Sequence, residues 1–149
     1  MLPCVSVAVY HVPALTRRHP ARLIFISYLT APGTHYARSH ATFSSPAVGE
    51  NVVVLGGRDK RVHCVGRDSG KAIWTFQTLG EVDSSPVICG DKVVFGSEDG
   101  RFYMVKLSDG SEVWSYEIGQ SITSSPAVAK GMVVVGCDDG YVYAFGAGK

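Results

Sequence analysis

Long hydrophobic runs are absent from this chain of 149 residues. Its densest apolar stretch, Leu23 to Leu29, is seven residues long, whereas a membrane-spanning helix needs about 20. The formal net charge is only +1, so no general attraction to nucleic acid or to an anionic membrane surface is expected. With 46% hydrophobic and 18% charged residues, the composition is that of a folded globular protein.

Residues suited to catalysis or metal binding are also scarce. Asn51 is the single asparagine, and no nucleophile-elbow, Walker-type or zinc-hydrolase motif occurs. The four cysteines show no C-x-x-C spacing and no nearby histidine cluster; they are Cys4, Cys64, Cys89 and Cys137. We therefore predict no catalytic, cofactor-binding or metal-binding residues in this chain.

Acidic residues are missing from residues 1–43, which carry four arginines, whereas residues 44–149 hold ten basic and all 13 acidic residues, a balance of −3. Sixteen of the 17 glycines also lie in residues 44–149. The chain is therefore expected to divide near residue 44. An acid-poor, arginine-bearing N-terminus is typical of a poorly ordered or weak targeting segment, and a strand that belongs to the following domain is the alternative.

The second part of the chain is an internal repeat with a period of 40 residues. Ser-Ser-Pro occurs at 44–46, 84–86 and 124–126. The register then holds without a gap at a glycine, an aspartate and a tryptophan; the positions are Gly56, Gly96 and Gly136, Asp59, Asp99 and Asp139, and Trp74 and Trp114. Three units follow, at 44–83, 84–123 and 124–149, of which the third is incomplete.

Each complete unit predicts four short antiparallel strands. In the second unit these are 86–88, 92–96, 101–105 and 112–118, separated by turns rich in glycine and aspartate. A four-stranded unit repeated every 40 residues is typical of a β-propeller blade. A β-sandwich or a β-solenoid does not require so fixed a period. We therefore predict an all-β chain that forms a partial β-propeller of about 2.65 blades, below the four to eight that usually close a ring.

The repeated polar residues have structural interpretations. Asp59, Asp99 and Asp139 lie in four-residue turns and lack the alternating carboxylates of a calcium loop, which favours a hairpin role. Lys60 replaces the turn glycine of the other units, so its turn is either of another type or strained by about 1 kcal/mol. His63 shares its position with two tyrosines, which indicates an amphipathic surface or interface position. The serine pairs are interpreted as strand-entry residues, and the cysteines as packing residues.

At this point the sequence resembles the quinoprotein-type (PQQ-like) β-propeller repeat, a family that includes quinoprotein dehydrogenases and the propeller lipoprotein of the BAM complex. The resemblance covers residues 44–149 and is carried by the segments 68–74 and 108–114, by Ser-Ser-Pro and by 133–144. It implies that Trp74 and Trp114 stack on a peptide of the adjacent blade. Cys64, Gly66, Met104 and Lys106 depart from the family pattern, which implies weaker hydrogen bonding between blades.

The resemblance does not imply a bound quinone. Family members that use PQQ need a catalytic aspartate, calcium ligands and usually an adjacent disulfide, and this chain has neither a Cys-Cys pair nor a second asparagine. We expect a non-catalytic module or fragment without cofactor that binds protein partners or self-associates through open blade edges. The alternatives are a fragment of a PQQ-dependent oxidoreductase and the propeller sensor portion of a signalling protein. Family resemblance alone favours an extracytoplasmic (periplasmic or secreted) location.

Overall fold

The computed structural model describes residues 40–146, which form three antiparallel sheets. The strand order is β1-β2-β3-β4 in blade 1, β5-β6-β7-β8 in blade 2 and β11-β10-β9 in blade 3. The eleven strands are β1 (Ala47–Val48), β2 (Val52–Gly57), β3 (Arg61–Gly66), β4 (Ala72–Gln77), β5 (Val87–Cys89), β6 (Lys92–Gly96), β7 (Arg101–Lys106), β8 (Glu112–Glu117), β9 (Ala127–Ala129), β10 (Met132–Gly136) and β11 (Val142–Gly146). The predicted all-β partial propeller is confirmed.

The strands lie where the β-branched and aromatic runs predict them, within one or two residues. Strand β6 occupies the predicted range, and β5 begins at Val87, one residue after Pro86. Proline stands just outside the strand because it has no N–H to donate to the sheet. The segment 1–39 lies outside the described residues, so the interpretations of the N-terminus stay predictions.

The hairpin turns between the second and third strands of each blade need a left-handed residue. Gly100 and Gly140 supply it with φ of 82° and 88°, and Lys60 adopts φ of 61° at the same position of blade 1. A side chain in this region costs about 1–2 kcal/mol because its Cβ crowds the carbonyl oxygen. Blade 1 therefore keeps the turn of the other blades and bears the strain.

The core lies between the blades. Consecutive apolar residues on the central strands point to opposite faces, so Val93 and Phe95 pack on blade 1 while Val94 and Phe102 pack on blade 3. One buried cluster joins blades 1 and 2, and a second joins blades 2 and 3. Each sheet is too small to bury its own faces, and stacking solves this.

Two linker residues are inserted against strand glycines. A Cβ at Gly56 would lie 2.5 Å from the carbonyl oxygen of Val82, and one at Gly96 would lie 2.2 Å from Cγ2 of Ile122. Val82 and Ile122 are fully buried. The repeated glycine is therefore required for the linker to pack on the strand before it.

Within residues 40–146 no helix is long and apolar enough to cross a membrane.

Candidate functional site

The Ser-Ser-Pro motif fastens each blade internally and to its neighbour. The hydroxyl oxygen of the first serine accepts a hydrogen bond from a strand amide of its own blade, at 3.0 Å for Ser44 and Gly56 and at 3.1 Å for Ser84 and Gly96. The second serine acts between blades, because the Ser45 amide donates to Ser85 Oγ at 2.9 Å. The Ser85 amide donates in the same way to Ser125 Oγ at 3.3 Å. Sequence reasoning identified strand entry but missed this connection, although the offset of 40 residues between donor and acceptor signals it.

The turn aspartates bond to their own hairpins. The Asp99 carboxylate accepts from the Arg101 amide at 3.0 Å and from the Tyr103 hydroxyl at 2.9 Å. Asp139 accepts from Tyr143 Oη at 2.7 Å. In blade 1 the pair is His63 Nε2 and Asp59 Oδ2, 2.9 Å apart. These contacts agree with the hairpin role of the three aspartates.

The shared position of His63, Tyr103 and Tyr143 lies inside the fold. His63 and Tyr103 are buried, and Tyr143 is half-buried. Its bond to Asp139, together with partial desolvation, raises the pKa of Tyr143 to about 12 and the same bond lowers the pKa of Asp139. Desolvation and Asp99 likewise raise the pKa of Tyr103. The polar atom at this position closes the hairpin, which sequence periodicity alone did not indicate.

One group of carboxylates could in principle hold a cation. Oxygens of Glu81, Asp83 and Glu98 lie within 4.8 Å of one another. Arg58 already neutralises them, with Nη2 2.6 Å from Asp83 Oδ2 and Nε 3.1 Å from Glu81 Oε2. Desolvation, followed by the two neighbouring carboxylates, raises the pKa of Glu98. The group is an ion-pair network between the first linker and the turns of blades 1 and 2.

The cysteines within the described residues are free thiols, and Cys4 lies outside those residues. Cys64 is fully buried in the interface between blades 1 and 2, and burial raises the pKa of its thiol to about 11. Cys137 is buried between blades 2 and 3, where burial also raises its pKa. Both side chains fill space in an interface, as their repeat positions predict.

Trp74 docks blade 1 on blade 2. Its indole Nε1 donates a 2.8 Å hydrogen bond to the carbonyl oxygen of Leu107. The ring lies against Gly110, where an added Cβ would be only 2.6 Å from Cε3 of the indole. Trp74 is 8% exposed as a result. The stacking role that the resemblance implies for Trp74 is therefore present.

Trp114 holds the same position in blade 2 but is 37% exposed. Its ring meets Phe145 edge-on at 5.2 Å between centroids and stacks on Tyr116 at 6.0 Å. The counterparts of Leu107 and Gly110, one repeat on, fall at 147 and 150, outside the described residues. Within those residues no hydrogen bond from the Trp114 indole is present. An apolar groove of about 470 Å³ lies beside the ring, lined by Met104, Trp114, Gly131, Val133, Ala144, Phe145 and Gly146.

The edge of β11 continues this groove. In the complete blades the third strand pairs with a fourth, as β7 does with β8, but β11 pairs with β10 alone among the described strands. The face of blade 3 turned away from blade 2 is exposed as well, with Val142 72% accessible, whereas its counterpart Phe102 is fully buried. Strands β9, β10 and β11 contain no charged residue. We call this edge, the groove and Trp114 the blade 3 acceptor surface.

Comparisons with known proteins agree with this architecture. The family profile described as outer membrane protein assembly factor BamB matches residues 29–148. No curated protein matches the sequence. BamB from Moraxella catarrhalis superimposes with a TM-score of 0.66 at 22% identity, over 75% of this chain and 35% of BamB.

Two further solved structures share the fold. Quinohemoprotein alcohol dehydrogenase from Comamonas testosteroni gives a TM-score of 0.64 at 24% identity, over 72% of this chain and 19% of the enzyme. The computationally designed Ika4 protein gives 0.62 at 19% identity, over 69% of this chain and 64% of that protein. At these identities the likeness concerns the fold alone, and the chain spans about a third of the length of the first of them. From the family match and the repeated blade geometry, this chain belongs to the PQQ-like β-propeller family of outer membrane protein assembly factor BamB.

Proposed function

We propose that this chain is a non-catalytic protein-binding propeller module whose blade 3 acceptor surface takes up a β-strand. The observation that carries the proposal is the contrast between Trp74, engaged by Leu107 and Gly110, and Trp114, which lies open beside an unpaired strand. An uncharged edge strand without proline is the form of strand that recruits another strand.

The backbone of β11 has the polarity that such binding requires. Cys137 N donates to Tyr141 O, so Tyr141 faces β10. Groups alternate along a strand, which turns the amides of Val142, Ala144 and Gly146 outward. In the complete blades the amides that correspond to Gly146, those of Gly66 and Lys106, donate to the fourth-strand side at 2.8 Å. An incoming strand would meet a row of donors and acceptors at hydrogen-bond spacing.

A peptide of residues 107–119 tests this, because it contains a docking turn with Gly110 and the whole of β8. Labelled with fluorescein and titrated with the full chain, it should bind with its turn on Trp114. Ala144→Pro removes one outward amide and should weaken binding about tenfold, the effect of about 1.4 kcal/mol. Ala144→Val keeps the amide and is the matched control. Binding that is equal for the two variants, or for a scrambled peptide, contradicts the proposal.

We also propose that the chain is not itself an enzyme. The carboxylates that could serve a cofactor or an ion are engaged: Asp83 by Arg58, and Asp99 and Asp139 by tyrosines. Addition of PQQ with Ca²⁺ should leave the melting temperature unchanged, since a ligand at 100 times its Kd would add about 2.7 kcal/mol. A rise in melting temperature would support the alternative of an oxidoreductase fragment. The family description, which names outer membrane assembly, supports an extracytoplasmic location.

A further inference from the structure

We infer that the strand taken up by the blade 3 acceptor surface is residues 32–37 of a second copy of this chain. This inference rests on the proposed function and names its partner. Two copies would meet head to tail, with the segment ahead of blade 1 of one copy completing blade 3 of the other.

The repeat register identifies the donor segment. Strands β4 and β8 occupy 72–77 and 112–117, each followed by Ser-Ser-Pro at the same distance. One repeat earlier, the same register falls on 32–37, Pro-Gly-Thr-His-Tyr-Ala. Tyr36 then stands where β4 has Phe76 and β8 has Tyr116. The family match begins at residue 29 and includes this segment.

The order of strands makes the pairing intermolecular. A fourth strand belongs to the blade that precedes the next Ser-Ser-Pro, so 32–37 belongs to a blade ahead of blade 1. Blade 3 is at the other end of the stack, and a ring closes only with about four or more blades. Blade 3 of the same copy therefore lies out of reach, whereas blade 3 of a second copy can stand ahead of blade 1.

Charge favours the same encounter. Residues 1–43 carry four arginines and no acid, while residues 44–149 have a balance of −3. The donor segment contains no lysine, arginine or acid, and the strands of blade 3 contain none either. Opposite charges on the two ends of the chain steer copies together, and the contact itself leaves no ionised acid, lysine or arginine of either strand without a partner.

Pairing in the complete blades sets the register. Arg61 lies opposite Gln77, and Arg101 lies opposite Glu117. The same pairing places Ala37 of one copy opposite Tyr141 of the other. Since Tyr141 turns its own backbone groups toward β10, this pair is of the closer, non-hydrogen-bonded kind, about 4.5 Å between Cα atoms, within the range that a disulfide spans.

Cross-linking of the full chain tests the register. The double variant Ala37→Cys, Tyr141→Cys should form covalent multimers on oxidation, with the link between positions 37 and 141 of different chains in peptide mass spectrometry. Arg38→Cys with Tyr141→Cys is the matched control, because a shift of one residue points the thiol to the other face; its yield should be at least tenfold lower. A 37–141 link within one chain overturns the inference, and so does a dimer of Tyr141→Cys alone, which would indicate pairing of two β11 strands.

A mixing experiment tests the head-to-tail arrangement independently. Thr34→Pro damages the donor and Ala144→Pro the acceptor of the same opposed pair. By light scattering each variant alone should remain near 15.9 kDa, and their mixture should give only the dimer, because one intact donor and one intact acceptor remain. Circular dichroism confirms that each variant is folded, and the cross-link stands in for a variant that is not. A wild-type chain that is monomeric at about 100 μM overturns the inference. If it still binds the 107–119 peptide, the proposed function survives; if it does not, both fail.

Discussion

The indole nitrogen of Trp74 donates a 2.8 Å hydrogen bond to the carbonyl oxygen of Leu107, 33 residues further along the chain. This bond joins the outer strand of blade 1 to the turn before the outer strand of blade 2. The same indole covers Gly110. Blades 1 and 2 are therefore joined at their outer rim as well as through their apolar faces.

Gly110→Ala should be strongly destabilising. The new Cβ would lie 2.6 Å from Trp74 Cε3, and the residue has φ of 72°. Gly90→Ala is the matched control, since Gly90 has φ of 61° but nothing within 4 Å of an added Cβ. We expect a loss of about 1 kcal/mol for Gly90→Ala from backbone strain and about 2–4 kcal/mol for Gly110→Ala, because overpacking adds to it. Equal losses in urea unfolding would show that the Trp74 contact does not resist the methyl group.

Lys60→Gly should stabilise the chain by up to about 1 kcal/mol, because glycine relieves the left-handed strain of a residue with φ of 61°. The flexibility of glycine in the unfolded chain offsets part of this gain. Lys92→Gly, at a strand position, should lose about 0.5–1 kcal/mol. Thermal unfolding of the two variants measures the difference, and a lower melting temperature for Lys60→Gly would contradict the strain.

Ser84→Ala should cost about 1–3 kcal/mol. The Ser84 hydroxyl is fully buried and accepts from the Gly96 amide at 3.1 Å, so its removal leaves a buried donor without a partner. Ser108→Ala, at an exposed position, is the control and should change stability by less than about 0.5 kcal/mol. Denaturant unfolding compares them, and a loss for Ser84→Ala as small as that of the control would count against the first serine as a blade fastener.

Stability should fall as the pH rises from about 10 to about 12. The pKa of Tyr143 is raised to about 12 in the folded chain, whereas a tyrosine in an unfolded chain has about 10. Between these values the unfolded chain has lost the proton that the folded chain keeps, so alkali favours unfolding. The pKa of Asp139 is lowered by the same bond, so its contribution is lost as the pH falls below about 4. Phenolate absorbance at 295 nm follows Tyr143, and Tyr143→Phe should flatten the alkaline limb.

The positions of the strands could be predicted because local chemistry decides them. The run 92–96 is β-branched and aromatic, and glycine and aspartate punctuate it on both sides. The exact repeat of 40 residues then required the strands to form equal sheets that stack, since none can bury its faces alone. The predicted strain at Lys60 followed from the same register.

The partners of the side chains could not be predicted in this way. Periodicity placed His63 with Tyr103 and Tyr143 and predicted a surface or interface position, but their bonds to the turn aspartates take the position into the fold. The second serine of each motif was assigned to strand entry, whereas its hydroxyl accepts from the neighbouring blade. Both contacts join residues whose proximity depends on how the hairpins and blades stack.

The sequence alone determined the period, the strands and the family, because these depend on residue types at fixed spacing. Only the tertiary structure decided that Trp74 is engaged and Trp114 is open, although both stand in the same motif. The reason is physical: a tryptophan is buried by whatever packs against it, and the turn that covers Trp74 comes from the next blade, 33 to 36 residues away. Identical local sequence therefore produces a closed joint at one rim position and an acceptor surface at the other.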